Sequence, residues 1–240
     1  MDWNICLSRY AGKIMNDSLN TFISKYQPPE HNGLDILYQD DALLVLDKPC
    51  GLLSVPGRGD EKQDCMATRV QSEYPDALIV HRLDMATSGV LIMAKDTDIH
   101  RYLSVLFQER EVEKRYVAIV DGQVRQAIGK IELPLITDWP NRPRQMVDHK
   151  NGKPSITRFK VLWRNIEENT TRIELAPETG RSHQLRVHMQ SYGHTILGDR
   201  LYASEKIQQQ SERLMLHAQS LSLIHPLTKE PMRFISEAPF

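Results

Sequence analysis

From Leu34 to its end the chain is cut into short apolar runs separated by turn-forming residues, and this restricts the fold more than any other feature. "LDILYQD" and "ALLVLDKP" read as two strands joined by an Asp-rich turn, and "LLSVPGRGD" as a strand running into a loop. "KRYVAIVDG", "GKIELPLIT" and "TTRIELAPETG" read as further strands. "RQMVDHKNGKPSITRFKVLW" carries Asn151-Gly152, a hairpin dipeptide, and "LMLHAQSLSLIHPLTKEPMRFIS" reads as a terminal hairpin. Helical spacing is confined to three stretches. These are residues 64–74, with Asp64 as cap and Pro75 as stop; "DTDIHRYLSVLFQER", with Ile99, Leu103, Leu106 and Phe107 in phase; and "RSHQLRVHMQSYG". Strands outnumber helices, and many look hairpin-connected. The expected class is α+β, with a mixed, largely antiparallel sheet and flanking helices and loops.

The 240 residues allow one large domain or two small ones. The first 33 are poorly patterned and close on "QPPEHNG", so the division expected is a partly mobile extension over 1–33 and a folded domain over 34–240. Met15 offers an alternative start. The longest apolar runs, such as Ala42–Leu46, are five residues, far short of the roughly 20 that span a membrane. "MDWNICLSRY" has an early acid and no apolar core, so it does not read as a secretory signal. Cys6, Cys50 and Cys65 form no CxxC pair. Free thiols in a reducing cytoplasm are expected, and no zinc site.

Net charge is −1, which by itself announces no polyanionic partner. Its distribution is uneven. Residues 30–64 hold eight acids against three bases, and residues 141–160 six bases against one acid. The basic stretch is either a local footprint for nucleic acid or a solvated hairpin.

Between the apolar runs 78–80 and 90–93 lies "HRLDMATSG", too long for a two-residue turn and rich in hydrogen-bonding side chains. Asp84 is its only carboxylate, and a free aspartate has a pKa of about 3.9. A loop held by a sheet is where site residues concentrate; equally, Asp84 suits an Asx-turn with Thr87 and Ser88 satisfying backbone groups. In "TGRSHQLRVHMQSYG" a helix would put Arg181, Gln184 and His188 on one face and Leu185 and Met189 on another. His183 and His188 are five apart, the wrong spacing for a helical metal pair. Arg181 can meet a phosphate or an internal carboxylate such as Asp84. Tyr116, in "EKRYVAIV", is either a half-buried strand aromatic or a platform for a base.

"HRLDMATSG", "KRYVAIV" and "TGRSHQLRVHM", in that order, resemble the motifs of the RluA-type pseudouridine synthases, and the resemblance runs from Leu34 to Phe240. It implies the pseudouridine synthase fold around a central RNA-binding cleft, without the S4 domain many relatives carry. It implies an isomerase needing no cofactor and no metal, which breaks a uridine's C1′–N1 bond, turns the uracil and joins C5 to C1′. Asp84 matches the essential carboxylate, Arg181 an arginine that pairs with it, and Tyr116 a tyrosine that stacks on the target base and assists at C5. Arg82 matches an arginine that fills the place of the flipped nucleotide. The basic stretch then reads as an RNA backbone contact through Arg142 and Arg144. The implied partners are a tRNA anticodon stem-loop and a 23S rRNA stem-loop, with no membrane and no obligate protein partner. Three rivals remain: a sister synthase with another target site, an RNA-binding protein without catalysis, and a base-releasing glycosidase, which would want a second carboxylate.

Overall fold

The computed structural model describes residues 26–240. The expectations for Cys6, for a start at Met15 and for most of the N-terminal extension lie outside the described residues. The elements in chain order are β1 (Ile36–Gln39), β2 (Leu43–Lys48), α1 (Met66–Gln71), β3 (Leu78–Ile79), β4 (Ser88–Ala94), α2 (Thr97–Gln108), β5 (Glu113–Asp121) and β6 (Ile128–Glu132). They continue with β7 (Leu135–Thr137), β8 (Gln145–Val147), β9 (Ile156–Asn165), β10 (Thr170–Pro177), α3 (Gln184–Ser191), α4 (Glu205–Gln208), β11 (Leu216–Ile224) and β12 (Pro231–Ile235). Ten strands form one sheet in the order β1-β2-β4-β11-β5-β10-β9-β6, with β12 on β11 and β3 on β4, while β7 and β8 pair separately. Among the described residues only the β4–β11 pair is parallel, so the α+β, largely antiparallel class expected from the sequence is the one found.

Side-chain alternation explains how β4 can be buried throughout and apolar from Val90 to Ala94. Val90, Ile92 and Ala94 pack with Leu103 and Leu106 of α2 on one face. Leu91 and Met93 pack with Met66 and Val70 of α1 on the other. A strand covered on both faces loses the polar half of its pattern. The other half of the sheet has its own core, where Ala118, Ile173 and Leu175 meet Leu185 and Met189 of α3. Strands β11 and β5 join the two halves, and Tyr116 of β5 touches both cores.

Several local expectations change. Residues 51–58 form no strand; Ser54 takes the place of a ladder partner, its hydroxyl donating to the Leu83 carbonyl (2.8 Å) and accepting from the Leu83 N–H (3.1 Å). Cys65, not Asp64, caps α1 in a reciprocal capping box with Thr68, while Asp64 pairs with Arg69. The Asn151-Gly152 turn links β8 to β9, yet β8 pairs with β7, so no hairpin closes across it. Helix α3 starts at Gln184, later than the pattern implies, because His183 sits in the left-handed region at φ 53. Residues just before the sheet are tied to it: the Tyr26 hydroxyl donates to Asp64 C=O and accepts from Leu53 N–H, and Arg69 reaches the Pro29 carbonyl.

Gly89 marks the point where β4 meets β11. Its φ is +111°, and a Cβ there would lie 2.3 Å from the Ala218 carbonyl oxygen and 2.7 Å from its nitrogen. Gly89→Ala combines backbone strain with a clash against backbone that cannot yield, and should lower unfolding free energy by about 2–4 kcal/mol. Denaturant unfolding checks this: the midpoint should fall with an unchanged slope.

Candidate active site

Strands β3 and β4 pair antiparallel and hold residues 80–87 as a loop pinned from several sides. Half-buried His81 accepts from the Ile92 N–H (3.1 Å) and stacks on Phe107 at 4.7 Å. Burial, with Lys114 nearby, pushes its pKa down to about 3, so the ring is neutral. Cys50 Sγ donates to the Ala86 carbonyl, and Gly51 N–H to that of Met85. Lys48, with no exposed surface, donates to the carbonyls of Pro49 (2.8 Å), Leu52 (2.6 Å) and Met85 (3.2 Å). Burial pushes its pKa down to about 7, but three carbonyls match the three N–H donors of an ammonium and work against that shift.

The loop's turn is closed through backbone, Thr87 N–H donating to Asp84 C=O (3.0 Å). The Asp84 carboxylate is not an Asx-turn acceptor. It is half-buried and faces Arg186, whose Nη1 donates to Oδ2 at 3.2 Å; His183 Nε2 lies 3.9 Å from the same oxygen. Arg186 itself is fixed from behind. Its Nε and Nη2 donate to Asp199 Oδ2 (2.8 Å) and Oδ1 (2.7 Å), and its guanidinium lies over the Tyr202 ring. Asp199 is fully buried and also accepts from the N–H groups of Leu201 and Tyr202. Burial opposes the Arg186 charge, but the Asp199 bond and the charges of Asp199 and Asp84 outweigh it, so its pKa is raised.

The expected pairing of Arg181 with Asp84 is corrected: Arg186 does this. Arg181 precedes the helix, is exposed, and forms no ion pair with Asp84 among the described residues; its N–H donates to Gln184 Oε1. Arg181, Arg82, Asp84 and Tyr116 nevertheless line one cleft of about 1820 Å³, larger than the roughly 300–1,000 Å³ of small-ligand sites. Eight Lys and Arg side chains line it against three carboxylates, Asp84, Glu178 and Glu212. A chain of net charge −1 thus concentrates positive charge on one groove. Burial, reinforced by the Asp84 charge, raises the Tyr116 pKa, so its phenol keeps its proton. Arg142 and Arg144 stand apart from the lining, on the β7–β8 hairpin: Arg142 lies over the Trp139 ring and Arg144 over Tyr202. His188 is a core residue bonded to Thr157 Oγ1 and Leu133 C=O. No group of three or more metal-ligating side chains occurs among the described residues.

Sequence reasoning missed Arg186, Asp199 and Lys48. The available signal was a charged residue inside an apolar element: Arg186 within "HQLRVHM", and Lys48 ending "ALLVLDK". Lys48→Met would leave three carbonyls without their donor, one of them in the loop. The protein should lose about 3 kcal/mol of stability, and amide exchange in residues 83–87 should accelerate, as hydrogen-exchange mass spectrometry would report.

Comparison with known proteins agrees with this geometry. The family model for RNA pseudouridylate synthase matches residues 42–191. The dual-specificity RNA pseudouridine synthase RluA of Escherichia coli (strain K12) is 50% identical over 218 residues, covering 91% of this chain and 99% of its own. The Yersinia pestis protein of the same name is 51% identical over 205 residues, covering 85% and 99%. Among solved structures, human RNA Pseudouridylate Synthase Domain Containing 1 superposes with a TM-score of 0.75 at 27% identity, over 89% of this chain and 87% of its own. A family match over residues 42–191 and half-identical relatives spanning most of the chain, on a chain whose cationic groove contains a carboxylate held by Arg186, mean that this chain belongs to the RNA pseudouridylate synthase family and is an isomerase that makes pseudouridine in RNA.

Proposed function

We propose that residues 34–240 form the catalytic domain of a cytoplasmic enzyme acting on uridines of both rRNA and tRNA, within a 23S rRNA stem-loop and a tRNA anticodon stem-loop. The dual-specificity name of the half-identical relatives supports two RNA substrates, and the sequence resemblance points to those two stem-loops. One observation carries the assignment of the chemistry: the Asp84 carboxylate is unused by its own turn and is held by Arg186 at the floor of a positively lined groove.

The reaction moves one bond. The C1′–N1 bond of uridine breaks, the uracil turns in place, C5 bonds to C1′, and the proton leaving C5 is balanced by one gained at N1. No net oxidant or reductant is needed. Asp84 serves the step at the sugar, as a nucleophile on C1′ or as the base of a glycal-type route; either way the electron-poor sugar needs a carboxylate beside it. Arg186 aims that carboxylate, the role the sequence resemblance attached to Arg181. Arg181, exposed at the rim, contributes instead to the charge that receives the RNA backbone. Tyr116, with its raised pKa, is a poor base and a good stacking surface.

Reaching C1′ and C5 together requires the nucleotide out of its stack, at a cost of a few kcal/mol. Arg82 is exposed, lines the groove two residues from Asp84, and has a planar guanidinium able to stack in the vacated place. On the hairpin, Arg142 and Arg144 offer further phosphate contacts; the Nε of Arg144 is buried with no hydrogen-bond partner among the described residues.

Asp84→Asn keeps the shape of the side chain and removes its charge. Pseudouridine formation should fall by at least about 10³-fold, the scale of losing an essential catalytic group, while the RNA still binds; activity near wild type would remove Asp84 from this role. Arg82→Ala should slow turnover about tenfold on a structured stem-loop, the worth of one stacked partner. A 2-aminopurine beside the target uridine should then report less unstacking.

A further inference from the structure

His183 is placed in a way the helix does not need. It precedes α3 at φ 53, in the left-handed region, and its side chain makes no capping bond to the helix. A non-glycine residue held there stores about 1–3 kcal/mol of strain, which persists where the surroundings over-determine it. What that backbone achieves is the aim of the ring. Nδ1 lies 2.7 Å from the Tyr202 hydroxyl, and Nε2 lies 3.9 Å from Asp84 Oδ2.

Tyr202 is the second half of the arrangement. Its hydroxyl accepts the backbone N–H of Gln145, at the start of β8 in the separate hairpin (2.8 Å). The phenol's own proton then goes to His183 Nδ1, the assignment that leaves none of these donors idle, and the ring proton resides on Nε2, facing Asp84. The guanidiniums of Arg186 and Arg144 both lie over the Tyr202 ring, at 5.1 and 5.5 Å from its centroid, and hold it in place. The groups facing His183 are Asp84 from the loop, Arg186 from its own helix, and Asp199 and Tyr202 from the segment after α3; burial lowers its pKa, with Asp84 opposing and Arg186 adding to that shift. A neutral ring can accept from the phenol and donate to the carboxylate at once.

We propose that Tyr202 and His183 form a hydrogen-bonded relay through which the β7–β8 hairpin sets the position of the Asp84 carboxylate. His183 is a positioning residue. Seating RNA on the hairpin moves Gln145 and Tyr202 together, and the 3.9 Å gap to Asp84 is the link that closes; catalytic hydrogen bonds are often long before substrate binds. Such a device favours chemistry only when the RNA is docked. This inference rests on the role given to Asp84 above.

The test is a double-mutant cycle on the rate of pseudouridine formation at saturating RNA, using any RNA that the wild type modifies. Tyr202→Phe keeps the ring against the two arginines and deletes only the hydroxyl; His183→Asn keeps a residue tolerant of the left-handed region. Each should lower the saturated rate about tenfold to a hundredfold, with RNA affinity within about twofold of wild type. Because both act through one chain, the double variant should be no slower than the slower single one. Multiplying losses, or a wild-type rate in Tyr202→Phe, would overturn the relay. If His183→Asn does not fold, the ring nitrogen resonances of His183 decide. The wild type should show the Nε2–H tautomer, with Nδ1 shifted in Tyr202→Phe, and identical spectra would overturn the proposal. If Asp84→Asn itself stays active, the reading of the site has failed; an additive cycle with Asp84→Asn inert overturns the relay alone.

Discussion

Arg186 is a buried cation shared between two carboxylates, and the site depends on how it is shared. Asp199, without exposed surface, takes the bidentate side of the guanidinium and two backbone N–H groups as well. Such a pair is strong in a low-dielectric setting, and each partner is costly to bury without the other. Asp84 receives only the remaining Nη1, at 3.2 Å. If Asp199 were absent, the guanidinium fork would be free to turn wholly onto Asp84 and hold both of its oxygens. By taking that fork, Asp199 leaves Asp84 aimed by a single N–H and otherwise lightly held.

The backbone of the loop that carries Asp84 is correspondingly held from several sides. Its backbone is bonded to Ser54 at Leu83, to Gly51 and Lys48 at Met85, and to Cys50 at Ala86. Its start is fixed by the neutral His81 against Phe107, and its end by the close approach of Gly89 to Ala218. The segment that looked like a strand, residues 51–58, is irregular because its hydrogen bonds are scattered: Gly51 N–H and the Ser54 hydroxyl reach the loop, the Leu53 and Ser54 carbonyls accept from the start of α1, and Gly57 N–H donates to the Lys62 carbonyl, where a ladder strand would have sent them to one neighbour.

Much of this was legible in the chain. The alternation of short apolar runs gave the class, and one carboxylate within a polar loop between two strands marked Asp84. Tyr116 was visible as an aromatic where a strand begins, although only the fold shows that it touches both cores. Arg186 was not legible, for a reason of phase. A face is read from where a helix begins, and the left-handed turn at His183 removes Arg181 from α3 and sets Arg186 inside its first turn, against Asp199 and Asp84. Nothing in "TGRSHQLR" announces that turn, since histidine is compatible with both conformations. Lys48 was obscured similarly, because a lysine ending a strand ordinarily reaches solvent, and here three carbonyls in the irregular segment and the loop receive it.

Charge placement explains how a chain with no net positive charge can engage a polyanion. Part of the acidity of residues 30–64 is occupied with internal work: Asp40 accepts from Ala42 N–H, Leu43 N–H and the Tyr38 hydroxyl, Asp47 accepts from Ser236, and Asp64 pairs with Arg69. The bases instead gather along the groove, where Arg82 and Arg181 have no carboxylate partner among the described residues. A groove edged by these cations attracts phosphate over roughly a Debye length, about 8 Å at physiological salt, while the Asp84 carboxylate within it is held by Arg186. Attraction therefore acts on the backbone of the RNA along the groove, whatever the net charge of the chain.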